Sequence, residues 1–354
     1  MAKLYDISDW NEQPWWNTGG TRNKKVYLNP KDGELYYFKE SFNKGKRDYT
    51  YEFWSEIVAS AVGDLLGLDV LPYHIAINDS TSGCISKSMI DPAREELVEG
   101  GKYLQAFDST FDPENRKLRH QYDFQLILGA LQYFNLEQYY GQFIDTLIFD
   151  AFIGNSDRHQ ENWAMICRHT GLSRAAADLE KLAKSGIKDI PKLVRGFFEK
   201  MMSGKNIEQE LKVARLALSR NRQYSPIYDN GCSFGRELSE EKVRQLLHSD
   251  DEAQKYLNKG LAEIHWEGEK INHFELILKI GKNEDFNSMV TESLDRVLQR
   301  FDKVKIKEFI EEVDKPLREM GYPDLLPQER KDLMFLLLTL RCSRLRRLLE
   351  ELRS

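Results

Sequence analysis

Gly154-Asn155-Ser156-Asp157-Arg158-His159-Gln160-Glu161-Asn162 is the most informative stretch of this 354-residue chain. Residues 139–152 before it are apolar and aromatic with helix-like recurrence, and residues 162–167 after it read as a short strand. An acid five residues ahead of an amide, set between a helix and a strand, fits the catalytic loop of phosphoryl transfer. The carboxylate of Asp157 would accept or orient the proton of an attacking hydroxyl. The amide of Asn162 would ligate Mg²⁺ without adding a further negative charge beside phosphates. The competing reading is a plain loop with an Asx turn.

Working outward, four further segments take on meaning from their order. Asp229, in Tyr228-Asp229-Asn230-Gly231, offers a hard oxygen for a second contact to Mg²⁺, although Asp-Asn-Gly is also a strong turn sequence. Lys39, ending the run Leu35-Tyr36-Tyr37-Phe38-Lys39, is placed to reach the α- and β-phosphates of ATP from a strand. A helix expected over residues 50–66 carries Glu52, Glu56, Ser60 and Gly63 on one face, so Glu56 or Glu52 is the expected partner of that lysine. Thr18-Gly19-Gly20-Thr21-Arg22-Asn23-Lys24 precedes the first strand, and its paired glycines let backbone N–H groups approach phosphate. It is neither G-x-G-x-x-G nor a Walker A loop. A glycine loop, a strand lysine, a helix glutamate, an Asp/Asn loop and a late Asp stand in the order an ATP-dependent kinase requires. H-E-x-x-H is absent.

The rest of the chain supports two lobes. Residues 26–28 and 35–38 flank Asn29-Pro30-Lys31-Asp32-Gly33, a hairpin signal, and Gly67 supplies a stop for the helix before it. Extended runs follow at 71–77 and 83–89, and residues 124–134 read as a helix. Residues 172–220 read as helical and charge-rich, 225–231 as strand and turn, and 239–354 as a series of amphipathic helices. The expected architecture is α+β, a two-lobed protein-kinase-like fold. A small β-rich lobe spans residues 1–92, and a larger, mostly helical lobe spans 93–354 with a helical insertion at about 172–221.

Composition narrows the function classes. The chain is 41% hydrophobic and 31% charged, which excludes wholesale disorder. With 51 Lys+Arg against 57 Asp+Glu the net charge is −6, so no nucleic-acid partner is expected. Arg341, Arg344, Arg346, Arg347 and Arg353, interrupted by Glu350 and Glu351, read as a solvated helix face. The apolar run 334–340 is too short for a transmembrane segment, and residues 1–10 lack the apolar core of a Sec signal. The four cysteines, Cys84, Cys167, Cys232 and Cys342, show no metal or disulfide spacing and read as thiols in a reducing compartment. A cytoplasmic protein is expected, with export as an effector by a non-Sec route compatible with the same residues.

Ile153-Gly154-Asn155-Ser156-Asp157-Arg158-His159-Gln160-Glu161-Asn162-Trp163 resembles the catalytic loop of HipA-like serine/threonine kinases. Ser225-Pro226-Ile227-Tyr228-Asp229-Asn230-Gly231 is similar to their metal-binding turn. A related string occurs in phosphatidylinositol kinases. The resemblance spans roughly residues 15 to 300, specific in the two loops and loose elsewhere. It implies Asp157 as catalytic base, Asn162 and Asp229 as Mg²⁺ ligands, and Lys39 as the ATP lysine with Glu56 as its partner. It further implies Thr18, Gly19, Gly20 and Thr21 as phosphate loop, with Thr18 and Thr21 as autophosphorylation candidates and His159 as a brace. Because the glycine loop falls within twenty residues of Met1, the chain looks more like the compact CtkA-type members than like HipA toxins with an extra N-terminal subdomain. The implied partners are ATP, a protein substrate of unknown identity, and an antitoxin or host target, the antitoxin being put in question by the short N-terminus. The alternatives are a lipid or small-molecule kinase, and a non-catalytic nucleotide-binding module.

Overall fold

The structure, a computed structural model, describes residues 2–14, 24–40, 43–44, 47–48, 50–112, 115–171, 173–175, 177–178 and 207–354. The N-terminal part is a curled six-stranded sheet. Its strands are β1 (Leu4–Asp6), β2 (Asn11–Glu12), β3 (Lys24–Leu28), β4 (Leu35–Glu40), β7 (His74–Asn78) and β8 (Thr81–Lys87), in the order β1-β7-β8-β4-β3-β2. Only β1 pairs parallel; the other pairings in this sheet are antiparallel. A two-stranded ribbon, β5 (Asn43–Lys44) with β6 (Arg47–Asp48), stands apart from it. The expected hairpin between β3 and β4 turns at Gly33, whose N–H donates to the Asn29 carbonyl at 2.9 Å.

Alternation along β4 sorts its side chains. Tyr36 and Phe38 enter a small core with Ile7, Tyr27, Ala76 and Ile85, while Tyr37 and Lys39 point to the opposite face. The register sets Lys39 between Lys24 on β3 and Cys84 on β8. Helix α1 (Glu52–Leu66) packs across that second face and ends at Gly67 in the left-handed conformation. The stripe of Glu52, Glu56 and Ser60 is buried along with the apolar side.

A second, three-stranded sheet follows, ordered β11-β10-β9 from β9 (Glu95–Glu99), β10 (Ala164–Arg168) and β11 (Arg220–Tyr224). Around it stand α2 (Gly100–Phe107), α3 (Phe124–Tyr133), α4 (Tyr140–Ile153) and α5 (Ile207–Leu218). The remainder is helical: α6 (Glu240–His248), α7 (Asp250–Lys259), α8 (His273–Gly281), α9 (Glu284–Arg300), α10 (Lys303–Glu312), α11 (Lys315–Glu319) and α12 (Gln328–Arg353). Their starts are written locally. Ser239, Ser249, Asn272, Asn283 and Asp302 each accept a backbone N–H of the first turn. The main core is continuous from α1 through α3, α4 and α8 to α12. Among the described residues no helix is long and apolar enough to cross a membrane.

Three local expectations are corrected. The helical reading of 172–220 holds for α5, but Arg220–Tyr224 is a strand pairing β10, and residues 179–206 lie outside the described set. This strand is polar at four of five positions because it forms the sheet's edge, which hides it from a pattern search. Residues 225–231 form no strand; Ile227 makes only an isolated bridge to Val70. Arg341 is not on a solvated face: it is buried, donating to the Ala151 carbonyl at 2.9 Å with its guanidinium over the Phe274 ring. Arg344, Arg346, Arg347 and Arg353 are exposed.

His273, at the first turn of α8, is buried, and burial together with the Arg341 and Lys270 charges pushes it down to about 3. The unfolded chain takes up this proton near pH 6.5 and the folded one does not, so stability falls as pH drops from there toward 3. Urea unfolding at pH 7 and pH 5 should show the loss, and His273→Gln should flatten it by up to roughly 2 kcal/mol.

Candidate active site

Helix α4 delivers the Asp157 loop. Gly154 ends the helix at φ 73°, and a Cβ there would lie 2.6 Å from Nη2 of Arg341, so both conformation and space require glycine. Asn155 folds back, donating to Asp150 at 3.0 Å and accepting the Asp157 N–H at 3.2 Å. Arg158 points inward and is 1% exposed. Its guanidinium meets the Asp150 carboxylate (Nη2 at 2.7 Å), the carbonyls of Asn162 (2.7 Å) and Tyr228 (2.6 Å), and Oδ1 of Asn230 (2.6 Å). Burial pushes the Asp150 carboxyl up and the guanidinium opposes it. One cation thereby holds the helix, the Asp157 loop and the Asp229 turn in a single arrangement. Asn162 donates its Nδ2 to the Asp157 carbonyl at 2.7 Å, which leaves its side-chain oxygen as the atom for a cation.

The Asp229 turn is seated from both sides. Leu71 N–H donates to the Ile227 carbonyl at 2.9 Å and Ile227 N–H to the Asp69 carbonyl at 2.8 Å, tying it to the segment that leaves α1. Tyr228 donates its hydroxyl to the Glu161 carbonyl at 2.6 Å. Asp229 takes φ 56°, a conformation that turns its carboxylate toward β4, and Asn230 N–H donates to Glu56 at 2.8 Å. Gly231 is needed for close approach, since a Cβ there would sit 2.6 Å from Cγ of Glu52.

Lys39 completes the centre. Its Nζ lies 2.5 Å from Glu56 and 2.9 Å from Oδ1 of Asp229, while Lys24 Nζ lies 3.6 Å from Oδ2. Burial works against the Lys39 ammonium, but Asp229 and Glu56 outweigh it and hold the group well above its ordinary value. Glu52, the other partner considered, lies 3.9 Å from Arg236 instead.

Lys24, Lys39, Asp157, Asn162 and Asp229 line one cleft of about 500 Å³, walled further by Tyr73, Glu99 and Tyr228. That size suits a nucleotide-scale ligand. A carboxylate and an amide oxygen, facing a gap with two lysines, form a donor set that fits Mg²⁺ shared with phosphate oxygens. The two lysines now engage both oxygens of Asp229, so they stand where anionic phosphate would also be held.

Of the residues singled out in the sequence, Lys39, Glu56, Asp157, Asn162 and Asp229 come together. Glu56 lies behind Lys39 rather than in the cleft wall. Thr18, Gly19, Gly20 and Thr21 lie outside the described residues. His159 is half-buried at the cleft wall, its Nδ1 accepting the Glu161 N–H at 3.3 Å, so it stiffens the loop without being a core residue. Arg158 and Asp150 were missed. The signal was present: Asp150 is a charge inside an apolar helix, and such a group is paired or functional.

Removing one partner of a fully buried pair strands the other charge. Arg158→Met should therefore cost about 3–5 kcal/mol in denaturant unfolding. The double variant Arg158→Met/Asp150→Leu should recover part of that loss, as measured by the same titration.

Comparison with known proteins is informative at the level of structure. No protein family description matches the sequence, and no curated protein matches it. The crystal structure of the Helicobacter pylori proinflammatory kinase CtkA matches with a TM-score of 0.70 at 17% identity, covering 99% of this chain and 97% of that one. A chain from the Shewanella oneidensis MR-1 HipA–HipB toxin–antitoxin complex with operator DNA matches at TM-score 0.47 and 12% identity, covering 98% and 69%. From end to end, this chain has the fold of the kinase CtkA.

Proposed function

We propose that the chain is an ATP-dependent protein kinase of the HipA-like type, transferring the γ-phosphoryl group of ATP to a serine or threonine hydroxyl. The observation that carries this reading is the convergence of Lys39, Glu56, Asp157, Asn162 and Asp229, from segments far apart in sequence, around one cleft in a fold shared with a kinase. Lys39, kept charged by Asp229 and Glu56, holds the phosphates of the bound nucleotide. Asn162 and Asp229 hold Mg²⁺, which when bound neutralises charge on those phosphates. Asp157 orients the acceptor hydroxyl and takes its proton as the oxygen attacks phosphorus. Arg158 fixes the distance between these groups and touches none of the reactants. Thr18 and Thr21 are the proposed autophosphorylation sites, and a protein is the proposed acceptor in trans.

Incubating purified protein with Mg²⁺ and γ-labelled ATP should give label on serine or threonine, mapped by mass spectrometry to Thr18, Thr21 or an added protein. Asp157→Ala should lower transfer by about 10²–10⁴-fold while leaving the unfolding midpoint unchanged. Label appearing only on added lipid or small molecules would replace the protein acceptor with one of those. Tight Mg-ATP binding without any turnover would instead make the chain a binding module.

A further inference from the structure

We propose that Cys232 is a positioning residue for Asp157, linking the Asp157 carboxylate to the same helix that holds Lys39. The rate prediction rests on the kinase reading; the geometry does not. Cys232 Sγ lies 3.3 Å from Oδ2 of Asp157, and its backbone carbonyl accepts the Ser156 N–H at 3.3 Å. One residue thus grips the loop twice, by main chain just before Asp157 and by side chain at its carboxylate.

The contact with Asp157 has sulfur as donor, and Arg236 supports that direction. Arg236 donates Nη2–H to Sγ at 3.1 Å, which uses a sulfur lone pair and leaves the S–H to point at Asp157. Arg236 Nη1 in turn lies 3.9 Å from Oε2 of Glu52 on α1, an ion pair without a hydrogen bond. A further contact seats the same turn on that helix, Ser55 Oγ donating to the Ser233 carbonyl at 3.4 Å, while Ser233 Oγ braces the turn itself by donating to the Asn230 carbonyl at 2.6 Å. Two routes therefore leave α1. Glu56 sets Lys39 at the phosphate end, and Glu52 through Arg236 and Cys232 sets Asp157 at the acceptor end.

The setting of Cys232 differs from that of the other three cysteines. Cys84, Cys167 and Cys342 are buried, as small apolar residues are, whereas Cys232 is half-exposed between a guanidinium and a carboxylate. A weak donor suffices for orientation. An S–H bond to a carboxylate adds little stability, but it selects one orientation of a group whose alignment governs rate.

The test compares wild type, Cys232→Ala and Cys232→Ser. Ala removes the donor, and Ser keeps one at the same Cβ. The expected result is a roughly ten-fold lower kcat for Ala, KM for ATP within about two-fold, and recovery of most of the loss in Ser. Unfolding midpoints of all three variants check that Ala acts on alignment and not on folding. Crystal structures of the three read the geometry without activity: Asp157 should keep its carboxylate orientation in wild type and Ser and lose it in Ala. Wild-type kcat in the Ala variant, a Ser variant as slow as Ala, or an unmoved Asp157 in the Ala structure would each overturn the proposal. If wild type transfers no phosphoryl group, the kinase reading falls, and the crystal comparison alone decides whether Cys232 positions Asp157.

Discussion

A guanidinium taken out of water must find partners for its donors, and this requirement shapes the middle of the molecule. Arg158 satisfies it with one carboxylate, two carbonyls and one side-chain amide drawn from α4, its own loop and the turn at Asp229. None of these segments can shift without stranding a buried charge. The separation of Asp157 from Asp229, on which the proposed chemistry depends, is thus set by a residue that takes no part in it. What the pair contributes is geometry more than net stability, since a buried ion pair gains little over apolar packing of the same volume.

Helix α1 is the second organising element. Sequence periodicity describes it as amphipathic, with an apolar side for the core and a stripe of Glu52, Glu56, Ser60 and Gly63 opposite. The chain buries both sides, and the polar stripe becomes the surface on which the Asp229 turn and Lys39 are mounted. Gly231 allows the turn to come within contact of Glu52. The apolar side joins a core that continues into the C-terminal helices. Because that core is shared, α1 positions the sheet's lysine relative to the helical part, and its placement decides whether Lys39 meets Glu56 and Asp229 together.

Much of this was legible in the residues. The strands β3 and β4, the hairpin between them, α1 with its Gly67 stop, α3 and α4 all lie within a few residues of where pattern and turn chemistry put them. Caps such as Asn272 and Asp302 mark helix starts by local bonding, which needs no tertiary partner. Elements that failed to show were those whose stability comes from a neighbour. Arg220–Tyr224 is a strand because β10 offers it an edge, and Arg341 is buried because the Ala151 carbonyl and the Phe274 ring receive it.

Residue types and their order along the chain were enough to mark Lys39, a glutamate of α1, Asp157, Asn162 and Asp229 as a candidate set, since each has a side chain suited to one task. Tertiary structure alone decided which glutamate meets Lys39. Glu52 and Glu56 are one turn apart on the same face, and only the seating of the helix against Gly231 and Asn230 sends one to lysine and the other toward Arg236. Likewise the partners of Arg158, Asp150 and Cys232 are not written in one dimension. Their roles arise where distant backbone segments meet, and a local pattern carries no information about which segments those are.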